Sequence, residues 1–221
     1  MYRFGLLLVA VPLALVGCGG SEQAAPEVSA AQLTQLKDRA QAFAGQSVEQ
    51  LAGNAEAMAL AGELVEGHCA SCHAKASASS GIPDLRTAMF NFGNSADAIR
   101  ETIVNGRQNV MPAFGRTLGE SDIGAMAQYL RTLGDTEAAS GFAKTAIDLY
   151  EENCVACHGA MGEGNPQIGI PNLADDYWQH GDNIIQLRMV ITRGLDEACP
   201  PHGQALDAAQ VELLTAYLSQ R

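Results

Sequence analysis

The first apolar run, Leu6 to Val16, follows one basic residue, Arg3, and is too short to cross a bilayer. That order of charge and hydrocarbon is the order of an export signal. Residues 19–31 are small and polar, with nothing to bury, and predict a flexible tether. Further on, apolar positions recur at helical spacing. Ile123, Met126, Ala127 and Leu130 make an i, i+3, i+4, i+7 stripe, and Val211, Leu214, Thr215 and Leu218 stand in the same pattern. Asp207 and Gln210 have capping-box spacing ahead of the second stripe. Leu206 and Val211 are placed as a hydrophobic staple there, as Leu118 and Ile123 are before the first. Another helix is predicted after Asn54, a good N-cap, with Leu60, Leu64 and Val65 on its apolar face. Strand signals are weak throughout, so the expected fold class is all-α.

The two stripes belong to one unit written twice. Gly62 to His73 (GELVEGHCASCH) matches Ile147 to His158 (IDLYEENCVACH) at an offset of 85. From Ile82-Pro83-Asp84-Leu85 against Ile170-Pro171-Asn172-Leu173 onward the offset is 88, so three residues are inserted within 159–169. Gly106 then meets Gly194, Pro112 meets Pro200 and Tyr129-Leu130 meets Tyr217-Leu218. The expected organisation is a signal over 1–18, a tether and leading helix over 19–53, one domain over 54–135 and a second over 141–221.

Composition makes such small helical units a puzzle. The chain is 47% hydrophobic and only 5% aromatic, and about 80 residues per unit is a poor core by itself. A large buried cofactor would repair it. A formal charge of −12 excludes nucleic acid as a partner, since nothing basic would neutralise phosphates. Four of the six cysteines fall in two identical motifs.

Those motifs are Cys69-Ala70-Ser71-Cys72-His73 and Cys154-Val155-Ala156-Cys157-His158, both C-x-x-C-H. The spacing lets two thiols reach the two vinyl groups of one porphyrin and puts a histidine beneath the iron. Cys69, Cys72, Cys154 and Cys157 are therefore the expected attachment points of two covalent haem c groups, with His73 and His158 as proximal iron ligands. A redox dithiol would need a βαβ context that is absent, and a zinc site would leave both histidine placements as coincidence. Met111, on a loop 38 residues after His73, is the expected distal ligand of the first haem. Its equivalent in the second unit is Cys199. Three arrangements follow for that haem: Cys199 as thiolate, His202 three residues on, or an open iron. The constant register places Cys199 over the second haem as Met111 lies over the first.

The segment Leu15-Val16-Gly17-Cys18 resembles a bacterial lipobox, which implies acylation of Cys18 and a lipid anchor on the periplasmic side of a bacterial envelope. The remainder resembles class I c-type cytochromes, and in particular the dihaem subunit of cbb-type cytochrome c oxidases. The resemblance rests on the two haem motifs, Val48-Glu49-Gln50-Leu51, Val104-Asn105-Gly106-Arg107 before Met111-Pro112, and Asp176-Tyr177-Trp178. It implies two tandem cytochrome c domains, single-electron transfer in a respiratory chain, and redox proteins as partners. That family usually has a transmembrane anchor and a methionine at the Cys199 position; this chain has neither. The alternative is a redox enzyme with a Cys-ligated haem, as in dihaem thiosulfate dehydrogenases, where that haem belongs to the first unit. A gas or redox sensor with an open second haem is a weaker third reading. Residues 141–221 hold 11 acidic and 4 basic side chains, so a partner docking there is expected to present a basic face.

Overall fold

A computed structural model describes residues 28–74, 76, 80–86, 89–140 and 144–221. The export signal, Cys18 and the tether up to residue 27 lie outside the described residues. Helix α1 (Ala30–Ala40) opens on a capping box between Ser29 and Gln32, and a 3-10 turn (Gln41–Phe43) follows. Ser47 and Gln50 cap α2 (Val48–Ala52) in the same way. As expected, Asn54 caps α3 (Ala55–His68), accepting from the amides of Glu56 and Ala57. The single turn α4 (Ala70–His73) carries the first motif, and α5 (Ala96–Asn105) starts at Ser95. After strand β1 (Arg107–Met111) come α6 (Glu120–Leu130) and the short α7 (Thr136–Ser140). The second repeat gives α8 (Lys144–Asn153), α9 (Val155–His158), α10 (Ile184–Arg193), strand β2 (Leu195–Cys199) and α11 (Ala208–Leu218). The Asp207–Gln210 capping box of α11 forms as its spacing predicted.

The repeats are not the packed bodies. Helix α11 packs on α2, α3 and α5, and α6 packs on α8 and α10, so each half carries the last helix of the other. One core joins Leu51, Leu60 and Leu64 to Leu213, Leu214 and Ala216. The other joins Met126, Ala127 and Leu130 to Ala146, Tyr150, Leu187 and Ile191. The domain boundaries 54–135 and 141–221 therefore mark the sequence repeats, whereas the bodies are the described residues of 28–106 with 200–221, and those of 107–199.

The exchange is made at the two strands. Gly106 and Gly194 end α5 and α10 at φ +72° and +69°, a region open to glycine. From there β1 and β2 run antiparallel, pairing Arg107 with Cys199, Asn109 with Glu197 and Met111 with Leu195. Positions 109 and 197 are equivalents in the repeat, so a pseudo-twofold passes through that pair. Past the strands each chain is bonded to the opposite half. The amides of Phe114 and Gly115 donate to Ile191 and Thr192 carbonyls at 3.0 and 3.1 Å, and those of His202 and Gly203 to Ile103 and Val104 at 2.9 and 3.1 Å.

Side chains close the seam. Arg100 of α5 holds Glu212 of α11 through two bonds of 2.7 and 2.8 Å, and Gln41 donates to Asp207 at 2.8 Å. Near the axis Asn91 donates to its own equivalent, Gln179, at 3.0 Å, Asn109 donates to the Gly169 carbonyl at 2.8 Å, and His180 lies 3.2 Å from Glu197. The small sheet modifies the all-α expectation. Its strands, Arg-Gln-Asn-Val-Met and Leu-Asp-Glu-Ala-Cys, contain little that favours strand; the two copies make each other's ladder.

Candidate haem centres

Both motifs fold as a helix end followed by one turn. Cys69 and Cys154 are half-buried and Cys72 and Cys157 exposed, the same arrangement in each half. The His73 Nδ1 lies 2.9 Å from the Pro83 carbonyl and the His158 Nδ1 3.2 Å from that of Pro171. A carbonyl only accepts, so Nδ1 carries the hydrogen and Nε2 is left with its lone pair for a metal. The repeated Ile-Pro pairs thus have a role that the sequence reading did not assign.

The half-buried thiol of each motif is shifted up. Burial pushes Cys69 up to about 11, with the nearby thiols of Cys199 and Cys72 adding to it, and burial with Cys157 does the same to Cys154, also about 11. A reactive C-x-x-C cysteine is shifted the other way. Burial also lowers the His158 pKa, against the opposing effect of its bond to Pro171.

Cys154, Cys157 and His158 line an apolar cavity with about 1250 Å³ of empty space, part of it open to solvent. Its walls include Met111, Met126, Leu130, Trp178 and Leu187. An imidazole nitrogen, a thioether and two thiols around an apolar slot are the donor set a covalent haem needs. The residues present fit that group.

Here the structure departs from the register argument, which gave Met111 to His73 and Cys199 to His158. Met111 reaches the cavity of the second motif because β1 carries it across the pseudo-twofold. Cys199 lies near the first motif, where it adds to the upward shift of Cys69 and where Cys72 adds to its own. A constant offset of 88 is compatible with either pairing, since exchanging the two ends preserves every equivalence. His202 occupies the position of Phe114 and sits near His68, whose pKa is lowered by burial and by His202. The His68 Nε2 is buried without a hydrogen-bond partner. The equivalent of His68 is Asn153, which donates to the Leu149 carbonyl at 2.8 Å.

The family model "Cytochrome C oxidase, cbb3-type, subunit III" matches residues 56–130 and again 142–218. A cbb3-type cytochrome c oxidase subunit FixP of Bradyrhizobium sp. (strain ORS 278) is 32% identical over 217 residues, covering 90% of this chain and 75% of the relative. The subunit CcoP of Rubrivivax gelatinosus is 33% identical over 206 residues, covering 90% of this chain and 65% of the relative. Subunit CcoP of Azospirillum brasilense is 31% identical over 199 residues, covering 80% and 68%. Both halves of the chain, with a C-x-x-C-H motif and a histidine held at Nδ1 in each, thus place it in the family of cbb3-type cytochrome c oxidase subunit III, with two covalently bound haem c groups.

Proposed function

We propose that this chain is a membrane-anchored electron-transfer subunit that serves a cbb3-type oxidase from the periplasmic side, held by lipid on Cys18. The haem supplies one-electron chemistry when bound. The observation that carries the reading is the repeated proximal site: His73 and His158 held at Nδ1 by Pro83 and Pro171 carbonyls, in two bodies joined by a hydrogen-bonded seam. Cys69, Cys72, Cys154 and Cys157 are the attachment points, and Met111 and Cys199 the distal ligands, with His202 the less favoured donor. The seam holds the two bodies together without a long linker, as a relay between two centres requires.

Among the described residues no helix is long and apolar enough to cross a membrane. The lipobox-like Leu15-Val16-Gly17-Cys18 supplies the anchor in this reading. The body of residues 107–199 has 13 acidic and 6 basic residues, against 10 and 6 in the other, so a redox partner with a basic face docks on the former. With Cys199 at the first motif, the ligand order is that of dihaem thiosulfate dehydrogenases; the family match over both repeats favours the electron carrier.

Mass spectrometry of protein matured in a periplasm tests the reading: two haem additions and an acylated Cys18 are expected, and Cys18→Ser releases the protein or leaves a precursor. A single haem addition contradicts the haem assignment, and unchanged membrane attachment of Cys18→Ser contradicts the anchor.

A further inference from the structure

We propose that Gln179, a residue of the second body, is a positioning residue for the first haem: it holds the loop whose Pro83 carbonyl fixes His73. The inference rests on the reading of His73 as a proximal ligand and adds the residue that sets it from across the seam. The Gln179 side-chain amide donates to the Gly81 carbonyl, two residues before Pro83. Pro83 in turn takes the His73 Nδ1 at 2.9 Å.

Gln179 is itself fixed on both sides. Its Oε1 accepts from Asn91 at 3.0 Å, and its Nε2 also donates to Glu197 at 3.3 Å. The other Glu197 oxygen lies 3.2 Å from the His180 Nε2. The His180 ring and the Glu197 carboxylate cover the face of Gly81 where a side chain would stand, and Gly81 has φ +66°. The second body therefore grips this loop at a carbonyl and over a Cα.

The equivalent loop shows why the donor has to be Gln179. There the Gly169 carbonyl, two residues before Pro171, accepts directly from Asn109 at 2.8 Å, and the Phe92 ring lies over Gly169. The equivalents of Asn109 and Phe92 are Glu197 and His180. A carboxylate has no N–H to give to the Gly81 carbonyl. Gln179 supplies it, while its own equivalent Asn91, one methylene shorter, gives its amide to Gln179.

A firm bond from Nδ1–H to a carbonyl makes the imidazole a more basic ligand, which favours ferric iron and lowers the potential. By holding Pro83 in place, Gln179 keeps the first haem's potential down. Gln179, His180 and Glu197 also line the cavity of the second motif, so one cluster touches both centres.

The test uses full-length, periplasmically matured protein with two haem additions confirmed by mass. Gln179→Met keeps the side-chain length and removes the donor. NMR of the reduced protein is expected to show a shifted and faster-exchanging His73 Nδ1 proton, with the His158 Nδ1 proton unmoved. A redox titration is expected to show an upward shift of the first haem's potential. An unchanged His73 proton and potential overturn the proposal. So does a change at His158 as large as that at His73, which would make Gln179 a wall residue of the second cavity only. Should Gln179→Met not mature, Gln179→Asn, too short to reach Gly81, is read in the same way. A parent protein without haem on Cys69 and Cys72 refutes the two-haem reading and not the role of Gln179.

Discussion

The two haem bodies share a backbone plan and differ in what stands around the haem site. The second is apolar on its distal side, with Met111 and Phe114 beside Met126 and Leu130. The first has Cys199, His202 and His68 where the second has Met111, Phe114 and Asn153. It is the first body that carries two extra capped helices, α1 and α2, which with the 3-10 turn between them add Leu36, Phe43 and Leu51 to its core. Duplication supplied the scaffold, and divergence then acted on the distal faces. Because the last helices are exchanged, Met111 and Cys199 each belong to one repeat and lie near the C-x-x-C-H motif of the other.

The largest effect that would break this comparison comes from the exchanged helices. Leu214 is 1% exposed and lies in the second repeat, yet packs in the core of the first. Leu214→Ala is expected to cost about 2–5 kcal/mol and to lose amide protection first in α3, by hydrogen exchange. Met126→Ala, equally buried, is expected to loosen α8 instead. Loss of protection in α8 from Leu214→Ala would mean that the repeats fold separately.

The crossing glycines come next. At φ +72° with the Cys199 backbone carbonyl in the way of the new Cβ, Gly106→Ala is expected to destabilise by at least about 1–3 kcal/mol, and Gly194→Ala likewise, by thermal unfolding of the holoprotein. A melting curve unchanged from the parent would show that the strands do not cross here.

A smaller effect separates the bodies. Tyr150 donates to the Gly159 carbonyl at 2.8 Å and meets Tyr129 edge-on at 5.6 Å, while its equivalent in the first repeat is Val65. Burial raises its pKa, so it stays a neutral donor at neutral pH. Tyr150→Phe is expected to cost about 1 kcal/mol and to leave the first haem's spectrum untouched. A change confined to the first haem would refute the body assignment.

The smallest effect is acid sensitivity of one turn. Side-chain and backbone bonds from Arg86 hold Asp84 down at about 2, whereas the second repeat uses Asn172, which accepts from the Ala174 amide at 2.8 Å. With its folded value depressed, Asp84 adds stability that is present above an unfolded pKa of about 3.9. That contribution is lost as pH falls through about 2. The pair is solvent-screened, Arg86 being 86% exposed, so only a small effect is expected, seen as a shallower acid transition in Arg86→Ala. An identical transition in the variant would remove the pair from the account.

Much of this was legible in the residues. The stripe Val211, Leu214, Leu218 named a buried helix face, Asn54 and Asp207 named helix starts, and the two C-x-x-C-H strings named the dihaem family that the comparisons show. The partner of that face was not legible, because two nearly identical grooves accept two nearly identical helices. Nor was the sheet, which exists only where Arg107–Met111 meets its own copy. The ligand pairing was lost for the same reason. Repeat register fixes equivalence between positions and is silent on which copy they serve. Pro83 and Pro171 were visible as matched residues, but their carbonyls act through the backbone and leave no mark on side-chain chemistry.

The central claim, that each half is closed by the last helix of the other, is tested most directly by one contact. Helices α3 and α11 cross where a Cβ on Gly62 would lie 3.7 Å from the Tyr217 ring. Nuclear Overhauser spectroscopy of the reduced, diamagnetic holoprotein, with glycine and tyrosine selectively labelled, reads that crossing. The exchanged fold expects the Tyr217 ring protons to show cross-peaks to the Gly62 Hα. Cross-peaks from Tyr217 to Ile147, the equivalent of Gly62 in its own repeat, would contradict it.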